Sequence, residues 1–375
     1  MLARLQPDIC NLCPHKYSSM FKLLSNLPKS TMMGCALLLA LVGCVETENK
    51  QDEFWLFKGP IMGTQYTITV VLNQGVDIKS AASSSRHELE RGVIQVLQTT
   101  NNIMSHYVND SELSQLNREP PNTAVVVSPE LMNILATSQR ISEQSDGAFD
   151  VTLAPAIDAW GFGSAGEISE RPSSESLESL RQRIGYKKYV VADNNVVKLA
   201  QGLTFNLSAI AKGFAVDQVS SYLTEHGFGN HLVDIGGELR ASGKNPQHKD
   251  WRIGIEKPHI LGGLRDVIEL SNRAVATSGD YRNFVELNGQ RFSHTIDSKS
   301  LSPVLHRLAS ISVVHESATE ADALATAILA MGEVRGIEFA RESNLSFYAM
   351  IREADDEYSV VMSDDLHPLL YDKGL

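Results

Sequence analysis

Apolar positions recur along the chain with two spacings, one near two and one near 3.6 residues, which mark half-buried strands and amphipathic helices. Residues 65–72 (QYTITVVL), rich in β-branched side chains, predict a strand after the turn GPIMGT. Leu89, Val93, Val96 and Leu97 predict a helix over 79–100, and Asp110 or Ser111 is placed to cap a short helix beyond it. A strand at Ala124–Val127 leads into Ser128-Pro129-Glu130, a helix start with a cap, a proline at the first position and an acid in the first turn. That helix turns Leu131, Ile134, Leu135 and Ile141 inward and ends near Asp146-Gly147.

Polar residues 164–175 read as a surface loop before a short helix ending at Gly185. Asp193-Asn194-Asn195 joins two short strands into a hairpin, and Leu203–Leu207 continues the β pattern. A long helix is expected from Ser208, as its cap, to about His226, burying Ile210, Phe214, Val219, Tyr222 and Leu223. NHLVDIGGELRASG reads as strand, glycine turn, strand, and WRIGIE as a further strand. Asn283–Leu287 and Arg291–Ile296 flank Asn288-Gly289, a type I′ turn pair, which puts His294 on a strand. Thr277, Ser278, Gly279 and Asp280 just upstream read as a polar turn able to offer N–H groups and hydroxyls to an anion. The remainder alternates a strand at Leu308–His315, helices at Thr319–Met331 and 333–342, and strands at 346–351 and 357–362. The fold class is α+β, with mixed or antiparallel sheets and helices packed on them.

Composition changes the picture at the N-terminus. All four cysteines, Cys10, Cys13, Cys35 and Cys44, precede residue 45, so the rest of the chain can hold no disulfide. Cys10-x-x-Cys13 with His15 imitates a metal motif, yet no second ligand pair follows. Lys22 and Lys29 precede an apolar run, Met32–Val42, too short to span a bilayer, which takes about 20 residues. The run ends in LVGC, similar to the lipobox of bacterial lipoproteins, in which Cys44 becomes the lipid-bearing first residue. Residues 20–44 form a complete signal by themselves, making Met20 a candidate start. The expected organisation is therefore a signal peptide over 1–43, a lipidated cysteine and polar tether over 44–54, and one domain over 55–375, anchored to a bacterial membrane and facing the periplasm.

The chain of 375 residues carries a net charge of −12. Its first 43 residues hold four basic groups and one acidic group, which leaves 29 basic against 44 acidic in the remainder. A body so acidic, without a basic stripe, argues against nucleic-acid binding.

Three places carry candidate chemistry. The helix start in NLSAIAKGFAVD could hold an anion with its N–H groups and Lys212, or Lys212 could be a solvated lysine and Gly213 a helix contact. Asp322 and Thr326, four apart on one helical face, offer hard oxygen ligands suited to magnesium, although Thr319 and Asp322 also fit a capping arrangement. His294 is a candidate base, and Asp297 three residues on would point to the opposite face of an extended strand.

The segments MGTQYTI, MSHYVNDSELSQLN, DGAFDVTLAP with WGF, LSAIAKGFAVD, VDIGGELRASG, TSGDYRNF, SHTID and ADALATA, in this order, resemble the ApbE family of FAD:protein FMN transferases, with its T-fold-related architecture. The resemblance implies Mg2+-dependent transfer of FMN from FAD to a threonine of an acceptor protein, with AMP leaving. Acceptors of that kind are subunits of membrane redox complexes of the Nqr or Rnf type. It also implies a metal held by Asp322, Thr326 and backbone oxygens of Ala209 and Ala325, with Lys212 on the diphosphate or adenosine side. Met62, Tyr107, Ala148, Phe149, Asp150 and Ile296 would line the flavin nucleotide, Asn206 would contact the nucleotide, and His294 would act on the acceptor threonine as base or positioning group. This sequence departs from the family at DSKSL, which lacks a usual proline and Thr-Gly pair, and at Asn206, where many members have an acid. Two other readings share these residues: a metal-dependent FAD pyrophosphatase, which Tyr107 speaks against, and a lipid-anchored flavin-binding protein, which the Asp322 and Thr326 pair speaks against.

Overall fold

Phe54–Ile61 (β1) and Thr64–Val71 (β2) pair as a hairpin whose turn, Met62-Gly63, has positive φ at both residues. The computed structural model describes residues 53–72, 78–163, 166, 168–259, 262–281, 284–287, 289–353 and 357–371. The expected signal peptide, Cys44 and most of the tether lie outside the described residues. After β2 come helix α1 (Ile78–Met104), α2 (Glu112–Arg118), strand β3 (Ala124–Val126), and helices α3 (Pro129–Gln144), α4 (Ala154–Ala159) and α5 (Ser174–Leu180). Strands β4 (Tyr189–Ala192) and β5 (Asn195–Lys198) precede helix α6 (Ala211–Glu225). Then follow β6 (His231–Ile235), β7 (Glu238–Ser242), β8 (Trp251–Glu256), β9 (Leu264–Leu270), β10 (Arg273–Gly279), β11 (Phe284–Leu287), β12 (Gln290–Ser293), β13 (Ile296–Asp297), β14 (Ser302–Pro303) and β15 (Leu308–His315). Helix α7 (Ala318–Glu342), β16 (Ser346–Arg352), β17 (Tyr358–Met362) and a 3₁₀ turn (Asp364–Leu369) complete the order.

An eight-stranded sheet in the order β1-β2-β6-β7-β10-β15-β16-β17 forms the spine, and each of its pairings is antiparallel. Alternation along β10 shows how it is covered. Ala274 and Ala276 face α1, α6 and α7, whereas Val275 faces the β8-β9 hairpin with Trp251, Ile253 and Ile268. Small alanines on the helix side let α7 lie close to the sheet, where Ala321, Ala325 and Ile328 complete the core. The α+β expectation is met, with antiparallel strands throughout this sheet.

Several local expectations need correction. GPIM is not a turn but the end of β1, with Gly59 opposite Tyr66 and Pro60 opposite Gln65. Proline is tolerated there because β1 is the sheet's edge, where its missing N–H interrupts no central ladder. Leu203–Leu207 forms no strand. The Asn117 side chain takes the place of a partner strand, accepting from the Phe205 N–H at 2.7 Å and donating to its carbonyl at 2.9 Å. By contrast, the two helices expected at 319–331 and 333–342 are found, and the span labelled α7 is the two joined at Gly332, whose φ of 80° and ψ of −178° leave the helical region. A Cβ there would lie 2.7 Å from the His306 ring, which donates through Nε2 to the Leu329 carbonyl.

Candidate active site

The approach to α6 is irregular, and that irregularity builds the site. Asn206 Oδ1 accepts the Ser208 N–H at 2.9 Å, so the cap expected from Ser208 is absent and the helix begins later, at Ala211. Ile210, at φ −150° and ψ −23°, breaks the helical path just before it. A regular helix would give the Gly213 N–H to the carbonyl of Ala209. Here that N–H donates to Asp322 Oδ2 at 3.0 Å, and the Ala209 carbonyl is relieved of its helical donor.

Gly213 permits this contact. A Cβ on it would sit 2.2 Å from the Ala318 carbonyl, so α6 and α7 touch through bare backbone. Asp217, one turn on, fixes the same junction from the other side. Its carboxylate accepts from the Ser317 and Thr319 hydroxyls and from the Ala318 and Thr319 N–H groups, at 2.7–3.0 Å, and pairs with Arg240 at 3.1 Å. Ser317 is the helix cap, with Asp217 completing it. The capping reading of Thr319 and Asp322 is thereby set aside, and Asp322 is released for another role.

Lys212 is not a solvated lysine. Its Nζ lies 2.8 Å from Glu238 Oε1 and 3.9 Å from Asp322 Oδ1. Glu238 reaches it because β7 opens at the Gly236-Gly237 turn, braced by Gly237 N–H donating to Asp234, and its pleat directs Glu238 and Arg240 to the helix side. Both acids are buried, and among the described residues Glu238 Oε2 has no hydrogen-bond partner. Burial pushes the Glu238 carboxyl up to about 7, against the pull of the Lys212 ammonium and with the help of Asp322. Burial also raises Asp322, opposed by Lys212 and by the Gly213 N–H.

One helical turn beyond Asp322, Thr326 Oγ1 lies 3.2 Å from Ser278 Oγ of β10. This revises TSGD, which is a strand end rather than an anion-binding turn. Thr277, Ser278 and Gly279 pair with Ser312, Ile311 and Ser310, while the Asp280 carboxylate is held by Arg352 at 2.9 and 3.0 Å. What the segment contributes is the Ser278 hydroxyl. Ala325 is buried inside α7, where ordinary helical bonding engages its carbonyl. Among the described residues no group of three or more His, Cys, Asp or Glu side chains is placed to hold a metal. The oxygens at hand are one carboxylate, a hydroxyl pair and the Ala209 carbonyl.

The flavin-side residues fall in separate places. Met62 packs between the two core clusters that meet behind α6. Phe149 is buried, while both Asp150 oxygens are engaged, Oδ1 by the Thr152 N–H and hydroxyl and Oδ2 by the Tyr186 N–H. Asp150 therefore clasps its own loop, with Ala148 beside it. Tyr107 is 61% exposed, and its ring lies 3.9 Å from that of His106. Asn206 Nδ2 approaches His106 Nε2 at 3.4 Å, which links Tyr107 to the α6 approach. Burial lowers the His106 pKa, keeping that ring a neutral acceptor.

His294 is not on a strand. The β11-β12 ladder ends with Phe284 opposite Ser293, and His294 turns away in a bend, half-buried and edge-on to the Phe162 ring. Ile296 follows, buried in β13 opposite Pro303, and β13 rests against α7, the helix that carries Asp322 and Thr326. The DSKSL segment forms the β13-β14 turn, where Leu301 accepts the Trp160 indole N–H and fills a satellite core.

Glu238, Asp217 and His106 escaped the sequence reading. Glu238 had a signal in VDIGGELRASG, since an acid directly after a Gly-Gly turn and alternating with Arg240 lies on the face that must be buried.

The ApbE family's sequence profile matches residues 62–351. A Vibrio cholerae protein named FAD:protein FMN transferase is 35% identical over 343 residues, covering 91% of this chain and 99% of its own length. A Haemophilus influenzae protein of the same name is 36% identical, with coverages of 86% and 92%. Among solved structures, the flavin transferase ApbE from Vibrio cholerae aligns with a TM-score of 0.77 at 34% identity, over 85% of this chain and 100% of that one. The apo form of Pseudomonas stutzeri flavinyl transferase ApbE aligns at 0.76 and 32% identity, over 85% and 97%. The likeness thus runs from the β1-β2 turn through the Lys212 helix and the Asp322 helix to β16, and the chain belongs to the ApbE family.

Proposed function

We propose that this protein transfers the FMN moiety of FAD to a threonine hydroxyl of an acceptor protein, releasing AMP, with Mg2+ held at Asp322, Thr326 and the Ala209 carbonyl. The observation that carries this reading is the Gly213–Asp322 bond, which opens the Ala209 carbonyl beside a buried carboxylate and a lysine. The donor set fits magnesium: hard oxygens, one protein carboxylate, and room in the coordination shell for water and substrate phosphate. Charge agrees as well, since Glu238 and Asp322 outnumber Lys212 in a buried space and a divalent cation would offset the excess. Bound there, the ion would neutralise charge developing on the diphosphate oxygens.

The chain's own residues do the rest. The Lys212 ammonium draws the diphosphate to the start of α6, where N–H groups and the helix dipole favour an anion. The exposed Tyr107 ring offers aromatic surface to the flavin, while Met62, Ala148, Phe149, Asp150 and Ile296, engaged in the core or in their own loop, would shape the nucleotide's surroundings. His294 takes the proton from the threonine Oγ as it bonds to the FMN-side phosphorus, and the bond from that phosphorus to AMP breaks. Support for the substrates comes from the names carried by the relatives, which specify FAD and a protein acceptor. The signal pattern over 20–44 supports a lipidated Cys44, a tether, and work on the periplasmic face of a bacterial membrane, with redox complexes of the Nqr or Rnf type as acceptors. Among the described residues no helix is long and apolar enough to cross a membrane.

The deciding experiment incubates the protein with FAD, Mg2+ and a candidate acceptor, and follows acceptor mass and AMP together. Covalent FMN on a threonine with matching AMP is expected. AMP formed equally without acceptor would mean hydrolysis, and bound FAD with neither product would mean a binding protein.

A further inference from the structure

Two carboxylates face one ammonium in the buried cluster, and the ammonium is not shared evenly. Lys212 Nζ is within hydrogen-bonding distance of Glu238 Oε1 at 2.8 Å, whereas Asp322 Oδ1 stands back at 3.9 Å. Asp322 cannot swing toward the lysine freely, because its other oxygen holds the Gly213 N–H. Glu238 is equally fixed, at the first position of a central strand behind a two-glycine turn. The mobile partner is the lysine, a point charge on a four-carbon stem.

Lys212 is half-buried between two buried carboxylates, and an ammonium so placed, deprived of one of them, will pair with the other within reach. Without Glu238, that is Asp322, and an ammonium hydrogen-bonded to Asp322 competes with a cation for the same oxygen. We propose that Glu238 is a positioning residue that holds the Lys212 ammonium off Asp322, keeping the Asp322 carboxylate open to a divalent cation. The proposal rests on the metal assignment made above. It explains why a buried glutamate, with one oxygen unpartnered among the described residues, stands beside the proposed cation site.

The test is titration of the FAD-free protein with Mn2+ alone, reading the free ion by electron paramagnetic resonance, with circular dichroism melting as a check on folding. Asp322→Ala should abolish binding. Glu238→Gln should weaken it about tenfold, the size of effect typical for residues that orient metal ligands. Lys212→Met should bind at least as tightly as the unmodified protein, and the Glu238→Gln/Lys212→Met double variant should return to the Lys212→Met affinity. Unchanged affinity in Glu238→Gln overturns the proposal. So does a double variant as weak as Glu238→Gln, which would make Glu238 a ligand or a purely structural group, and so does weakened binding in Lys212→Met. Binding that survives Asp322→Ala would remove the metal assignment itself, and this proposal with it.

Discussion

Gly213 gives its backbone N–H to Asp322 Oδ2 at 3.0 Å, and this one bond joins the start of α6 to the second turn of α7. It has two consequences of different kinds. The carboxylate is oriented by a rigid donor, and the Ala209 carbonyl loses the helical partner it would otherwise have. A glycine is required for the approach, because the Ala318 carbonyl occupies the space a side chain would need.

Replacing Gly213 by alanine should therefore separate the helices. Overpacking of this kind costs about 1–3 kcal/mol, and the contact falls on backbone that cannot rotate away, so a loss near the upper end is expected. Urea unfolding followed by circular dichroism would read it as a lower midpoint. A midpoint equal to that of the unmodified protein would show slack between α6 and α7 that the contact distances deny.

Asp322→Ala should leave FAD turnover without response to added Mg2+, and Thr326→Val should weaken that response while keeping side-chain shape. The measurement is AMP release against Mg2+ concentration. An unaltered Mg2+ curve in Asp322→Ala would take the metal away from this helix.

The elements were legible where a local rule governs them. Ser128-Pro129 and Ser111 start helices as their chemistry dictates, and Asp193-Asn194, both at positive φ, turn the β4-β5 hairpin. Two of the failures share one physical cause, a partner distant in sequence. Asn117 supplies strand-like bonds to Phe205, 88 residues away, and Asp217 caps a helix 100 residues on. Neither leaves a periodic trace. At the site, Asp322, Thr326 and Lys212 were visible as residue types at helical spacing, and the order of motifs tied them to a family. Glu238 was hidden because pairing it with Lys212 requires knowing that β7 lies beneath α6.

Asp217→Ala should be among the most destabilising changes outside the apolar core. It removes a charged acceptor from four donors at the α7 start and leaves Arg240 without one of its partners. Lost caps cost about 1 kcal/mol and hydrogen bonds to charged groups about 1.5–3, so a total near 3 kcal/mol is expected, measured by urea unfolding. A loss below about 1 kcal/mol would mean that Ser317 and water cap the helix adequately.

His294→Ala should spare FAD binding and slow transfer about 100-fold or more, within the usual contribution of a general base. Flavin fluorescence titration separates the two effects. A binding defect with an unchanged single-turnover rate would move His294 from the proton transfer to the wall of the site.

His231 gives the stability a pH dependence with a definite sign. The ring is fully buried, with Nδ1 2.7 Å from the Phe228 carbonyl and Nε2 2.7 Å from the Ser220 hydroxyl. Nδ1 must carry a proton, because a carbonyl only accepts, whereas the Ser220 hydroxyl can donate to Nε2 or accept from it; burial lowers the ring's pKa from 6.5 to about 4, which favours the neutral form with Nε2 accepting. The unfolded chain takes up a proton below about 6.5, while the native state does so only near 4, so this contribution is lost as pH falls through that window. Between pH about 7.5 and 5 the loss is about 2 kcal/mol. Glu238 acts in the opposite sense, because a carboxyl raised from 4.5 to about 7 favours the native state at the acid end of that range. The total curve therefore mixes the two. Subtracting the curve of His231→Gln isolates the histidine, and its stability advantage over the variant should shrink by that amount on acidification; a pH-independent difference would mean that the native ring titrates as it does in the unfolded chain.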